Sequence, residues 1–360
     1  MASPDIERGV RNLLDACARA QRGERLLIVE ESPALGFYGE GLGLAVAHCA
    51  SQAGLAVERR EVPFSPSLDA MPEDLGEALK NYDHVLFLAR IGDQLRFAAM
   101  PGGAKPIVSY VLDRDALASP FAGSSYCSFL DLKYALDRLI AGARHIHVTC
   151  PLGTDYAAWL EPRDDAPAAA DVSVKRFPIS VFSPVMCGEF SGVAAVMHCL
   201  AGTGSRYYEP YGLRIGEPVF ARVEGHRIAD WEGPADTVAQ VRAHYDDVAG
   251  RFGIDRDFVH SWHAGIHPGC VYNGSAFDNL ERWSGSAFGN PRLLHFHTCG
   301  DYAPGEICWN IVDPTVTIDG VPVWENGQLY PDRFAGGRDI LTRNSELVAL
   351  FDNPRREIGL

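Results

Sequence analysis

Hydrophobic and polar positions change their period several times along the chain. Between residues 5 and 21, Ile6, Val10, Leu13, Leu14 and Cys17 recur at helical spacing, and Gly23 marks the expected end of that helix. ERLLIVEE (24–31) follows with an unbroken apolar run, which suits a strand buried on both faces of a parallel sheet. Leu42 to Gly54 returns to helical spacing. LAVERREV (55–62) then reads as a strand, 72–80 as a helix, and HVLFLARI (84–91) and KPIVSYVL (105–112) as two more strands. Strands and helices that alternate at this spacing predict a parallel α/β domain over residues 1–125.

The pattern shifts after residue 125. A helix over 128–142 leads into HIHVTC, and the Asp-, Ala- and Pro-rich run 164–171 reads as a surface loop. Short β-like pieces bounded by glycine come next: VFSPV, GVAAVM and PVFARVEGHRIADW. A helix over 234–252 follows, and Asp319-Gly320 and Asn326-Gly327 are hairpin turn signals near the end. The expectation is a second, larger, strand-rich α+β domain over 126–360.

Composition narrows the functions. A formal charge of -15 argues against nucleic acid and anionic membrane as partners, since both reward a basic patch. No run approaches the ~20 apolar residues of a membrane span, and residues 1–25 have no signal-peptide core. The nine cysteines are scattered, without CxxC pairs, as in a reducing, cytoplasmic compartment. GFYGEGLG (36–43) sits between a strand and a helix but matches neither GxGxxG nor GxxxxGK[ST], so a nucleotide role has little support.

Histidine placement carries the chemistry. Five of the twelve histidines fall in HSWHAGIHPGC (260–270) and HFHTCGDY (295–302). Gly265 and Pro268 oppose a helix through His260, His263 and His267, so a loop is expected there. His295 and His297 are two apart, and in a strand they share one face. Converging imidazoles suit Zn or Fe(II). Asp301 can orient such a ring or ligate, Tyr302 can donate to an oxyanion, and Cys308 can ligate or act as a nucleophile.

Several of these segments resemble the thermophilic metalloaminopeptidase (aminopeptidase T) family and its branch, the 2,5-dihydroxypyridine dioxygenases. HVTCPLGTDY (147–156), FPISVFSP (177–184), AGIHPG (264–269), HFHTCGDY and CWNIVDPTVTIDG (308–320) follow that family's order of motifs. The resemblance is weak before residue 145 and clearer after it. It implies an aminopeptidase T-like second domain, a small-molecule substrate and a homodimer or higher homo-oligomer. His295 and Tyr302 match a family ligand and the catalytic tyrosine. Ser180 stands where the family has a ligand Glu, and Ser261, with His260 adjacent, at the second ligand position. Cys308 and Asn310 replace a final His and Asp.

Two divalent ions need bridging carboxylates to offset their repulsion, so a dinuclear site is not expected. The expectation is one divalent ion, Zn or Fe(II), held by His260 or His263 with His295, and with His297, Cys308 or Asn310 as further donors. Three readings follow. The first is a hydrolase of a small amide, peptide or ester. The second is a mononuclear Fe(II) ring-cleaving dioxygenase. The third is a metal-free member, either catalytic through Cys308 with His297 as base, or a binding protein without chemistry.

Overall fold

The structure, a computed structural model, describes residues 3–66, 71–96, 98, 106–163, 173–202, 204–300 and 303–360. The chain forms two compact units: Met1–Leu130 with Ala170–Ile179, and Asp131–Ala169 with Ser180–Leu360. The loop expected over 164–171 lies outside the described residues.

The first unit is a five-stranded sheet of order β2-β1-β3-β4-β7, with every pairing parallel. Its strands are β1 (Arg25–Glu30), β2 (Ala56–Glu61), β3 (His84–Leu88), β4 (Ile107–Ser109) and β7 (Lys175–Phe177). Leu26 to Val29 are fully buried, as an unbroken apolar run in a doubly covered strand requires. The first helix ends at Arg19, which takes a left-handed conformation at φ 60°, four residues before the glycine expected to stop it. In the glycine-rich segment, a Cβ on Gly43 would lie 2.0 Å from Glu30 Oε2. The chain's own carboxylate therefore sits at the first turn of the helix Leu42–Gln52, where a phosphate would otherwise go.

The second unit is built on a twelve-stranded antiparallel sheet. Its strands are β5 (His145–Thr149), β6 (Asp155–Trp159), β8 (Val185–Met186), β9 (Phe190–Gly202), β10 (Gly212–Glu224), β11 (Arg227–Glu232), β12 (Val259–Ala264), β13 (Leu293–Thr298), β14 (Ile307–Val312), β15 (Thr315–Ile318), β16 (Val321–Glu325) and β17 (Gln328–Leu329). The main path runs β17-β16-β15-β5-β6-β9-β14-β13-β12-β8, and β10 and β11 extend from β9. Both turn signals close hairpins. Asp319 and Gly320 have φ 47° and 83°, and Asn326 and Gly327 have 49° and 74°, the paired positive φ that type I′ turns need.

Strand alternation sorts the core from the chemistry. Across β12, β13 and β14, Trp262, Phe296 and Trp309 stand in register on one face, all with no exposed surface. Tyr156, Phe190 and Trp231 pack onto them with ring centroids 5.1–5.7 Å apart. Tyr245 of the helix Ala235–Phe252 reaches Thr298 on that same face at 2.5 Å. The neighbouring positions of the three strands point to the other face, and they include His263, His295 and His297.

Candidate metal centre

The segment 259–264 is a strand, β12, and not the loop expected from Gly265 and Pro268. Both breakers lie beyond its end, Gly265 by one residue and Pro268 by four. Gly265 ends the strand where a Cβ would lie 2.2 Å from the Asn290 carbonyl oxygen. Pairing then sets His263 opposite His295, and His295 opposite Asn310, in one row across three strands. In the next row Ser261 faces His297, and His297 faces Cys308. These rows lie two residues apart on each strand, so all six side chains share a face.

His263, His295 and His297 converge, each offering a ring nitrogen within 4.8 Å of the other two. Among the described residues they form the one group of three or more His, Cys, Asp or Glu side chains with this spacing. Hydrogen bonding decides how two of the rings face. His263 Nδ1 lies 3.0 Å from the Phe182 carbonyl. A carbonyl can only accept, so that nitrogen carries the proton and Nε2 presents its lone pair. His297 Nδ1 lies 2.5 Å from Glu306 Oε1, and its Nε2 is 3.0 Å from His263 Nε2. Both Nε2 atoms therefore address the same point. Phe288 stacks on His295 at 4.3 Å and 26° and closes that side with an apolar ring.

Glu306, nearly fully buried, immediately precedes β14 and reaches the site through His297. Burial depresses the His297 pKa, but Glu306 and then Cys308 outweigh it and raise it to about 10. The ring is thus a cation held between a carboxylate and the His263 lone pair when no metal is bound. Sequence reasoning missed Glu306. Its signal was the spacing Glu306-x-Cys308-x-Asn310, period two running from the residue before β14 into that apolar strand.

His260 is not a member of the converging group, and its Nδ1 meets Ser261 Oγ at 2.9 Å beside the Phe258 ring. Ser180 packs under Gly289 and accepts the Ile266 amide at 2.9 Å, so no carboxylate reaches the cluster from there. Cys308 Sγ is 3.7 Å from His297 Nδ1, the nitrogen that Glu306 already engages. Asn310 is buried beside His295. His267 is fully buried in the turn after β12, where its Nδ1 accepts the Gly269 amide at 3.1 Å. Asp301 and Tyr302 lie outside the described residues.

The spacing of His263 and His297 suits two ligands of a single divalent ion, with His295 within reach. Bonds of about 2.0–2.1 Å to two imidazoles put their nitrogens roughly 2.9–3.4 Å apart for right-angled to tetrahedral arrangements, and 3.0 Å falls in that range. The backs of His263 and His297 are held by a carbonyl and a carboxylate, the partners that metal-bound imidazoles commonly have.

No protein-family model matches the chain. No curated protein matches it either. Among solved structures it is similar to 2,5-dihydroxypyridine dioxygenase from Pseudomonas putida KT2440, with a TM-score of 0.57 and 13% identity over 90% of this chain and 96% of that one. Aminopeptidase T (AmpT) from Thermus thermophilus aligns over 90% of this chain and 98% of its own, with a TM-score of 0.49 and 12% identity. The chain thus shares the fold of the dioxygenase over nearly its whole length. Among the described residues, no helix is long and apolar enough to cross a membrane.

Proposed function

We propose that the chain is a mononuclear metalloenzyme acting on a small molecule, with His263, His295 and His297 holding one divalent ion. The convergence of three imidazoles on one sheet face carries this reading. The fold shared with an enzyme, the dioxygenase, supports it as well.

When bound, the ion supplies Lewis acidity and brings the pKa of a water toward neutrality, a role three neutral imidazoles suit well. Glu306 keeps a proton on His297 Nδ1 and so leaves Nε2 available as a donor. The Phe182 carbonyl does the same for His263. Phe288, against His295, keeps water from that flank. Hydrolysis of a small amide, peptide or ester is the reaction we favour, because all three donors are neutral and leave the ion its full charge. Tyr302 remains our candidate for steadying an oxyanion.

Ring-opening oxygenation is the second reading, and the fold shared with a dioxygenase favours it. Against it, the common non-haem Fe(II) triad uses a carboxylate as direct ligand, whereas Glu306 sits behind His297. The metal-free cysteine reading is the weakest. It needs His297 Nδ1 as a base for Cys308, and that atom is committed to Glu306.

Metal analysis of untagged protein, followed by assays, tests these readings. One Zn per chain with ester or amide turnover is expected. Fe(II) with oxygen uptake on dihydroxylated rings would move the assignment to oxygenation. Protein that binds no metal even after reconstitution would contradict both.

A further inference from the structure

Asn310 is the least explained polar residue of the site. It is 3% exposed, stands directly opposite His295 across β13 and β14, and shares its face with Cys308. Neither its Oδ1 nor its Nδ2 has a hydrogen-bond partner among the described residues. An amide buried with both ends unmet is costly, and native proteins bury few of them. Leu293 pairs with Val312 two residues along the strands, and both belong with Cys199, Trp283, Ala287 and Phe288 to one apolar cluster. Asn310 therefore ends the row that His263 and His295 begin, with that cluster beside it.

We infer that Asn310 reads the substrate, and that the group it reads is the cis edge of a neutral amide, a lactam or a primary carboxamide. This rests on the trihistidine reading above and names the class of molecule bound there. A carboxamide side chain presents one acceptor and one donor in a plane. Its full complement is a donor and an acceptor flanking one carbon, H–N–C=O in the cis form. A carboxylic acid beside a divalent ion would be ionised, offering two acceptors and setting an anionic oxygen against Oδ1. A hydroxyl would satisfy one end and leave the other orphaned. Ligation of the ion through Oδ1 would likewise leave Nδ2 unmet.

The probes are 2-pyrrolidinone and N-methyl-2-pyrrolidinone, which share a ring and carbonyl but differ in the N–H. Binding to the metal-reconstituted full chain is followed by saturation-transfer NMR titration. Wild-type protein is expected to hold 2-pyrrolidinone about tenfold more tightly or better, since a site built to hydrogen-bond a group rejects the analogue lacking it. Asn310→Leu is expected to keep its metal content, bind both lactams alike, and melt higher than wild type in the absence of ligand, because it removes two orphaned atoms from an apolar setting. A structural role would instead lower its melting temperature. Equal binding of the two lactams to wild type, no binding of 2-pyrrolidinone, or a destabilised Asn310→Leu each overturns the inference. The lactam comparison on wild type needs no variant to fold. Metal bound without lactam discrimination sinks the Asn310 assignment alone, and discrimination without bound metal sinks the trihistidine reading alone.

Discussion

Glu306 and His297 show how single residues are tuned in this protein. Glu306 is expected to set the orientation and basicity of its imidazole without touching the ion. Glu306→Gln keeps an acceptor but removes the charge. It should weaken metal binding by about ten- to a hundredfold, with unchanged far-UV circular dichroism. Competition with a chelating dye measures this, and unchanged affinity would detach Glu306 from the centre. His267 makes a different prediction. Burial holds its pKa down to about 3, against an ordinary value of 6.5. Between those two pH values the unfolded chain takes up a proton that the folded chain refuses. Stability should therefore fall as pH drops through 6.5, by up to about 1.4 kcal/mol per pH unit from this residue. His267→Asn, which keeps an acceptor for the Gly269 amide, should flatten that limb in denaturation curves taken across the window. Part of this chemistry was legible in the sequence. The His295-x-His297 spacing announced a shared strand face, and the structure has both rings on it. Glu306 was not legible, because its relevance depends on which strand lies beside β13.

At the scale of elements, the support for His263 runs through a buried ion pair. Lys133 Nζ lies 2.8 Å from Asp137 Oδ2 and 2.7 Å from Ser183 Oγ, and Asp137 Oδ1 accepts the Ser183 amide at 2.9 Å. Ser183 follows Phe182, whose carbonyl holds His263 Nδ1, so the helix Tyr126–Ala141 pins the segment that orients a candidate ligand. Asp137→Leu leaves Lys133 charged and buried, and should cost about 3–5 kcal/mol in urea denaturation. Adding Lys133→Met should recover part of that loss, and a double variant no more stable than the single one would show that the pair itself was not the issue. Elements with strong local signals could be read from the sequence: the parallel strands, the long helix over 235–252 and both hairpin turns. β12 could not. Its glycine and proline lie just beyond its end, and its strand character comes from pairing with β13 and β8, which are distant in sequence.

For the whole molecule, the second unit sorts its polar chemistry and its aromatic core onto opposite faces of one antiparallel sheet. The fold it shares with the Pseudomonas dioxygenase extends over 90% of this chain, yet 13% identity leaves the chemistry to be argued from the site. The site argues for one ion. Two ions would need bridging carboxylates, and the described members of the converging group are all imidazoles. Replacing any of the three by Ala should abolish stoichiometric binding, whereas His260→Ala should leave it intact. The most direct test of this account is the metal-to-chain ratio of untagged protein, measured by inductively coupled plasma mass spectrometry beside the His295→Ala variant. One ion per wild-type chain and none in the variant are expected. Two ions per chain, none after reconstitution, or full occupancy in the variant would contradict it.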